Sequence, residues 1–196
     1  MTDAPAPEKS KASNAANETV EIVKTIVYAL LIALVLRVIL FQPFTIPSAS
    51  MEPALLEGDY IIVSKYSYGW SHHSIPFSPP IFHGRVFGRT PKRGDIIVFK
   101  LPRDGHTDYI KRLIGLPGDR IQVSNGQVFV NGVPIPRRFD GQTNDPDPNA
   151  SRGGQLVTKY IETMANGKTY TTFDEAPDRD GDTTDVFVVP EKQYFF

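Results

Sequence analysis

The stretch "RIQVSNGQVFVNGVPI", Arg120 to Ile135, decides the fold class of this chain. Apolar and polar residues alternate along it, and Asn-Gly pairs interrupt the alternation at Asn125–Gly126 and Asn131–Gly132. An Asn-Gly pair between alternating runs is the strongest short-range signal for a β-hairpin, because both residues accept a positive φ. The stretch therefore predicts a hairpin that turns near Asn125–Gly126 and turns again at Asn131–Gly132.

Further short strands are predicted on both sides of this hairpin. Upstream lie "DYIIVS" (59–64), "GDIIVFKL" (94–101) and "DYIKRLIG" (108–115); downstream lie the hairpin "KYIETMANGKTYTTF" (159–173) and the strand "DVFVVP" (185–190). The polar stretch "FDGQTNDPDPNASRGG" (139–154) predicts a mobile loop. Because no soluble helix of useful length is indicated, the body of the chain is predicted to be mainly β.

Composition excludes several classes of function. The chain has 196 residues and a formal net charge of −1, so it offers no broad basic field for nucleic acid. It has no cysteine, which excludes disulfides and thiolate catalysis. Its four histidines (His72, His73, His83, His106) show no metal-ligand spacing. We therefore predict no metal, no cofactor and no nucleic-acid partner.

The most hydrophobic run is "TIVYALLIALVLRVILF", Thr25 to Phe41. Its apolar residues lie on every face of a helix, and the span from Ile22 to Phe41 would reach about 30 Å, one hydrocarbon thickness. We predict a membrane anchor over residues 21–41, preceded by a polar, disordered tail over residues 1–20. A buried core helix and a cleaved signal peptide are the alternatives.

Charges beside the anchor predict its orientation. Lys9, Lys11 and Lys24 precede the apolar core, whereas no Lys or Arg occurs between Arg37 and Lys65. The positive-inside rule then places the N-terminus in the cytoplasm and the β body outside. We expect a single-pass protein of the bacterial inner (plasma) membrane, whose body lies on the periplasmic or extracellular side and which contacts membrane lipid.

Two serines follow the anchor in "FTIPSASMEP", Phe44 to Pro53. A serine hydroxyl becomes a strong nucleophile only when a neighbouring base takes its proton. In "DYIKRLIG" side chains alternate across the strand, so one of Lys111 and Arg112 must face mostly apolar neighbours. An inward Lys111 would have a lowered pKa and could act as a neutral base, although it could equally face outward or pair with an acid. A histidine base stays open on the sequence alone.

Four blocks of sequence resemble bacterial signal peptidase I, the membrane-bound serine protease that removes signal peptides from exported proteins. They are "IPSASMEPAL" (46–55), "EGDYIIVSKY" (57–66), "RGDIIVFKLP" (93–102) and "DYIKRLIGLPGD" (108–119), and the resemblance covers roughly residues 41–136. It implies a mainly β fold in which an N-terminal transmembrane helix is followed by a signal-peptidase-like antiparallel β catalytic domain. It also implies a Ser–Lys dyad, a variant of the catalytic triad.

The resemblance also implies roles for individual residues. Ser50 would be the nucleophile and Lys111 the general base, while the Ser48 hydroxyl and the Ser50 backbone N–H would hold the oxyanion. Residues implied around the P1 pocket are Ile46, Pro47, Met51, Leu55, Tyr109 and Ile110; those implied around P3 are Phe44, Ile61, Val98 and Ile110. Such pockets would admit small side chains, as the family's Ala-x-Ala rule requires, so the implied partners are the signal peptides of exported preproteins.

The sequence departs from the family pattern near its end. A Gly-Asp-Asn-Arg type segment, which in the family helps to orient the lysine, does not follow "VVPEKQYFF" (188–196). We therefore expect a truncated chain, with a catalytic core over about 42–120 and 185–196 and a β-hairpin annex over about 121–184. Two other hypotheses remain: an inactive membrane-anchored binding module of the same fold, and a self-cleaving Ser–Lys repressor, which the anchor disfavours.

Overall fold

A computed structural model describes residues 9–75, 78–81, 83–145, 154, 156–174 and 181–196. In chain order, its elements are α1 (Lys9–Ile39), β1 (Phe41–Thr45), a 3-10 turn (Ala49–Met51), β2 (Tyr60–Ser64), a second 3-10 turn (His72–Ser74), β3 (Ile96–Lys100), β4 (Asp108–Arg112), β5 (Arg120–Ser124), β6 (Gln127–Val130), β7 (Val133–Pro134), β8 (Arg137–Asn144), β9 (Leu156–Thr163), β10 (Thr169–Asp174) and β11 (Phe187–Val188). The prediction of a mainly β chain with an N-terminal apolar helix is confirmed.

The chain divides into two compact units, one of which combines residues 1–42 with Ser64–Val86. Its helix α1 contains one segment, Asn17–Ile39, that is long and apolar enough to cross a membrane, with a mean hydropathy of 2.4. None of this apolar segment is buried against protein, so the structure does not support the alternative of a buried core helix. α1 begins at Lys9, within the predicted tail, and residues 1–8 lie outside the described residues.

Segment Ser64–Val86 closes the C-terminal end of α1. The Lys65 backbone N–H donates to the carbonyl of Leu40 (2.9 Å), and the indole Nε1 of Trp70 donates to the carbonyl of Ile39 (2.7 Å). The Lys65 amine donates to the carbonyl of Val38 at 3.4 Å. The last carbonyls of a helix have no partner within the helix, so these three donors satisfy groups that would otherwise need water.

The second unit combines Pro43–Val63 with Phe87–Phe196 and contains the predicted hairpins. β5 pairs with β6 and β6 with β7, and Asn125 and Asn131 have φ of 48° and 55° in the two turns between them. β11 joins the other edge of β5, which gives the order β11-β5-β6-β7. The two turns at Asn-Gly pairs, read from the sequence, are thus where the chain reverses.

Three smaller sheets complete the strands. β3 pairs with β4, β1 with β2, and β8, β9 and β10 form a sheet in the order β10-β9-β8. The sequence did not indicate β1, and it predicted a loop where Phe139–Asn144 forms part of β8. A β-bulge between Phe139 and Gln142 accommodates Gly141 within this strand. The predicted boundaries of tail, anchor, core and annex remain predictions.

The core of this second unit joins residues from distant parts of the chain. Its fully buried side chains are those of Ile46, Leu113, Ile121, Val157 and Val189. Gly115 lies three residues beyond β4, and a Cβ placed on it would meet Phe195, Ile121 and Val189 at 2.9–3.0 Å. Ile46 and Leu113 thus anchor the two segments that carry Ser50 and Lys111.

Candidate active site

A single 3-10 turn presents Ser50. Ser48 precedes the turn in extended conformation (φ −158°, ψ 151°), and the Glu52 N–H closes the turn onto the carbonyl of Ala49 at 2.8 Å. The next side chain, Met51, is 6% exposed and holds the turn against the core. Ser48 and Ser50 are themselves exposed, and their Oγ atoms lie 3.2 Å apart. Two hydroxyls therefore share one short, fixed piece of backbone.

Strand β4 presents Lys111 to the same place. Ile97 of β3 lies opposite Lys111 in the antiparallel pair, and Val98 lies opposite Ile110. The 3-10 turn packs on β4, and the Lys111 Nζ is hydrogen-bonded to the Ser50 Oγ. The structure therefore joins a hydroxyl and an amine that lie 61 residues apart in the sequence.

Burial lowers the pKa of the Lys111 amine below its ordinary value of 10.5. The amine lies 5.8 Å from the centre of the Tyr109 ring, and the side chain is only half-buried. Desolvation penalises the ammonium form, so a larger share of the amine is neutral at a given pH. A neutral amine has the lone pair that a proton acceptor needs.

The histidines that the sequence left open have other partners. His72 and His73 stack on each other in the helix-containing unit, with ring centres 3.8 Å apart, and the His73 Nδ1 is hydrogen-bonded to Ser78. His106 is exposed in a turn that Asp104 organises by accepting its backbone N–H. Of the candidate bases named from the sequence, Lys111 is the one hydrogen-bonded to Ser50.

The residues named for the substrate pockets differ in exposure. Ile46 and Met51 are buried, at 2% and 6% exposed, and Tyr109 is 37% exposed. Pro47 is also exposed, whereas the half-buried members of the set are Phe44, Leu55, Ile61, Val98 and Ile110. Ile46 and Met51 could thus form only the floor of a pocket, and the P1 and P3 assignments remain predictions.

Two further observations concern metal and charge. Among the described residues, no group of three or more His, Asp or Glu side chains is arranged to hold a metal ion.

Sequence reasoning missed the surroundings of Arg112, whose guanidinium lies 4.6 Å from the centre of the Tyr170 ring. Glu162 is the residue in the sequence that indicates these surroundings. It lies between Tyr160 and Met164 on one face of a strand, and a carboxylate in that position implies a buried partner.

Comparisons with known proteins show which family the sequence resembles. The family model described as signal peptidase, peptidase S26, matches residues 19–196. The chain is 44% identical over 178 residues to signal peptidase I of Rickettsia akari (strain Hartford), covering 86% of this chain and 64% of that protein. It is 45% identical over 179 residues to signal peptidase I of Rickettsia massiliae (strain Mtu5), covering 87% and 65%.

A third relative, signal peptidase I of Rickettsia prowazekii (strain Madrid E), is 46% identical over 178 residues, covering 86% of this chain and 65% of that protein. The chain thus spans just under two thirds of the length of the curated relatives it matches. The matched region includes both Ser50 and Lys111. The chain therefore belongs to the signal peptidase family, peptidase S26.

Proposed function

We propose that this chain is a signal peptidase I, a serine endopeptidase that cleaves N-terminal signal peptides from exported preproteins after small residues. The observation that carries the proposal is the hydrogen bond between the Lys111 amine and the Ser50 hydroxyl. A nucleophile within reach of a base is the geometric requirement for acyl transfer. The family membership supplies the class of substrate.

The proposed reaction begins with neutral Lys111. Its amine accepts the Ser50 hydroxyl proton while the Ser50 Oγ attacks the carbonyl carbon of the scissile peptide. The carbonyl oxygen becomes an oxyanion in the tetrahedral intermediate. The Ser48 hydroxyl, 3.2 Å from the Ser50 Oγ, and the Ser50 backbone N–H are the proposed donors to this oxyanion.

Collapse of the intermediate completes the acylation. The C–N bond breaks, and the protonated Lys111 gives its proton to the departing amine, which is the new N-terminus of the mature protein. The signal peptide is left as an ester on Ser50. Neutral Lys111 then takes a proton from water, which attacks the ester carbonyl carbon. As the bond to the Ser50 Oγ breaks, Lys111 returns that proton to the Ser50 oxygen, which releases the signal peptide as a free carboxylic acid and restores both residues.

Apolar side chains beside the dyad support a preference for small residues. Ile46 and Met51 are buried under the serine turn, and Val98 and Ile110 lie opposite each other on β3 and β4. The residues proposed to line P1 are Ile46, Pro47, Met51, Leu55, Tyr109 and Ile110, and those proposed to line P3 are Phe44, Ile61, Val98 and Ile110. Such a surface excludes large groups by steric overlap, without a polar code.

The location of the protein is part of the same proposal. An apolar helix of membrane-spanning length fits a membrane-anchored protein, and the lysines that precede its apolar core favour a cytoplasmic N-terminus. We place the anchor in the bacterial inner membrane, with Ser50 on the periplasmic or extracellular side. Signal peptides and membrane lipid are the proposed partners.

The alternative is a membrane-anchored module that binds exported segments without cutting them. A binding surface has no chemical use for an amine on a serine hydroxyl, and partial burial of a lysine costs free energy. The geometry of the dyad therefore favours the peptidase.

The experiment that distinguishes the peptidase from the binding module incubates the full chain in detergent with a preprotein that has an Ala-x-Ala site. We expect mass spectrometry to find a mature product that begins after the second alanine. Replacing that alanine by phenylalanine in the substrate should stop cleavage. Retention of intact preprotein on the chain, with no new N-terminus at any pH between 7 and 10, would favour the binding module.

A further inference from the structure

A buried carboxylate lies in the three-stranded sheet formed by β8, β9 and β10. Glu162 is 5% exposed, and among the described residues it is the charged side chain that is buried. Tyr170 lies directly opposite Glu162 in the β9–β10 pair. Its hydroxyl is hydrogen-bonded to the Glu162 carboxylate, and Thr172 donates to Oε1 of the same group at 3.5 Å.

The cation in contact with this pair comes from β4. The Arg112 guanidinium lies 4.6 Å from the centre of the Tyr170 ring, within cation–π range. Burial lowers the pKa of Arg112, and the neighbouring Tyr170 and the Glu162 carboxylate oppose that effect. Burial also raises the pKa of Tyr170, and Glu162 raises it further. We call Arg112, Tyr170 and Glu162 the arginine cluster.

The arginine cluster is costly unless it is complete. A carboxylate taken out of water loses hydration, and a buried carboxylate that loses a hydrogen-bond partner is left with that loss uncompensated. Such clusters are best known for fixing a register rather than for adding stability. The register of β4 matters here, because this strand carries two long cationic side chains at adjacent positions, Lys111 and Arg112.

Adjacent residues of a strand point to opposite faces, so a one-residue slip of β4 would exchange the faces of Lys111 and Arg112. Length and charge do not distinguish the two side chains. The arginine cluster does, because a planar guanidinium stacks on an aromatic ring better than a compact ammonium does. The Tyr170 ring therefore favours arginine on its side of β4, and the lysine then lies on the side of Ser50.

A second set of contacts fastens the same hairpin to the start of β3. Lys168 is paired with Asp95, and the Asn166 amide donates to the carbonyl of Arg93 at 2.7 Å. The backbone carbonyl of Asp95 in turn accepts the N–H of Leu113 at 2.9 Å. The turn between β9 and β10 and the arginine cluster therefore hold the β3–β4 pair at two separate points.

We propose that hairpin β9–β10 positions the base of the dyad, because Glu162 and Tyr170 hold Arg112 on one face of β4 and so keep Lys111 on the face of Ser50. Glu162, Tyr170 and Arg112 are positioning residues that act through Lys111. The catalytic consequence rests on the proposed function, whereas the effect on Lys111 itself does not.

The surroundings of Lys111 determine how a misplaced amine is detected. Its amine faces the Ser50 hydroxyl and the Tyr109 ring. Ionisable groups on β4 and on the elements packed against it are Glu52, Asp95, Lys100, Asp108, Tyr109, Arg112, Glu162, Lys168 and Tyr170. Lys100 is paired with Asp108, and Lys168 with Asp95, so these charges largely offset one another. A change in the Lys111 titration that occurs without a change of charge therefore reports its position.

The test uses the full chain in detergent, with lysine labelled by ¹³C at Cε, and follows the Lys111 resonance as a function of pH. The resonance is assigned by its loss in Lys111→Met. Tyr170→Leu removes the ring without removing a charge, and we expect the Lys111 titration to move up by about one pH unit as the amine gains water. Cleavage should lose about tenfold in kcat with KM unchanged, because the nucleophile loses its positioned base.

Two variants make the result specific. Tyr160→Leu is the matched control, because Arg137 lies over the Tyr160 ring at the same 4.6 Å but belongs to β8 rather than β4. It should leave the Lys111 titration unchanged. Tyr170→Phe keeps the ring under Arg112 and should show the wild-type titration and kcat, while loss of the hydroxyl that bonds Glu162 lowers only the unfolding midpoint.

The outcomes that overturn the inference are distinct from failure of the proposed function. An unmoved Lys111 titration in folded Tyr170→Leu, or an equal shift in Tyr160→Leu, would overturn it. If Tyr170→Leu does not fold, Glu162→Gln is used in its place. Loss of a negative charge alone would lower the pKa of Lys111, whereas displacement of the amine into water would raise that pKa. A lowered Lys111 pKa in Glu162→Gln would therefore overturn the inference. A wild-type chain that never cleaves preprotein refutes the proposed function and leaves the titration result intact.

Discussion

At the scale of single residues, the Ser50 hydroxyl stands between two partners of different chemistry. The Lys111 Nζ is hydrogen-bonded to its oxygen, and the Ser48 Oγ lies 3.2 Å away. If the Ser50 proton points to the amine, the Ser48 hydroxyl can donate to the Ser50 oxygen. The same arrangement would leave Ser48 close to the oxygen of a bound carbonyl.

Removing either member of the dyad should abolish cleavage. Ser50→Ala has no nucleophile, and Lys111→Arg keeps a cation of similar length that stays protonated and cannot accept a proton. Both variants should retain the thermal unfolding midpoint of the wild type. Mass spectrometry of a processed preprotein measures the effect, with Ser124→Ala and Lys100→Arg as controls. Near wild-type cleavage by Ser50→Ala would contradict the dyad.

Ser48→Ala should keep binding and lose rate. One donor to an oxyanion is typically worth about 2.7–4 kcal/mol, so kcat should fall by roughly 10²–10³ with little change in KM. Steady-state kinetics on a peptide with an Ala-x-Ala site measures the two constants separately. A Ser48→Ala chain that changes KM alone would place Ser48 in substrate binding instead.

The pH dependence of cleavage follows from the lowered pKa of Lys111. Below that pKa the amine carries a proton and cannot act as a base, so kcat/KM should rise with pH and level off once Lys111 is neutral. The midpoint should lie below the ordinary lysine value of 10.5. A midpoint near 6.5 that disappears on histidine modification would indicate a histidine base.

At the scale of elements, Gly115 lies three residues beyond β4, where the chain forms an isolated bridge with Phe195 and packs on the core. Gly115→Ala would put a methyl group 2.9 Å from the Phe195 Cβ and 3.0 Å from Ile121. Overpacking of this kind costs about 1–3 kcal/mol, so the chain should unfold at lower denaturant concentration. Val133→Ala, at a side chain that is 66% exposed, is the control. Equal midpoints for the two variants would contradict the packing described.

Short sequence patterns predicted the turns and strands whose conformation is determined by neighbouring residues. Asn125–Gly126 and Asn131–Gly132 have the left-handed conformation that reverses the chain between β5, β6 and β7, and the first five residues of "DYIKRLIG" form β4. β8 was missed because its residues Asp140, Gly141 and Asn144 are poor strand formers, and pairing with β9 overrides their propensity.

The same distinction applies to the candidate site. Ser48, Ser50 and Lys111 could be named because they lie in short motifs, whereas the contact of Arg112 with Tyr170 and Glu162 joins β4 to β9 and β10. No local pattern specifies which strands pack together, because that depends on burial summed over the domain. A polar residue on an apolar strand face is the nearest sequence signal for such a contact.

At the scale of the whole molecule, Trp70 provides a probe of the membrane surface. It is the only tryptophan, and its indole donates to the carbonyl of Ile39 at the end of α1. Tryptophan at the end of a membrane helix is expected at headgroup depth, with its apolar ring toward the acyl chains. In liposomes, lipids brominated near the headgroup should quench Trp70 more strongly than lipids brominated near the chain end. Quenching by neither would show that the end of α1 lies outside the bilayer.

The capped end of α1 also has a consequence for the thickness of bilayer that the protein tolerates. The span Asn17–Ile39 has 23 residues, about 34 Å at roughly 1.5 Å per residue, slightly more than an average hydrocarbon core. An uncapped helix would expose polar carbonyls if a thick bilayer drew its end inward, whereas Lys65 and Trp70 keep those of Val38, Ile39 and Leu40 bonded. In a long-chain lipid the capped end therefore loses fewer hydrogen bonds than an uncapped end would, which lowers this part of the cost of hydrophobic mismatch.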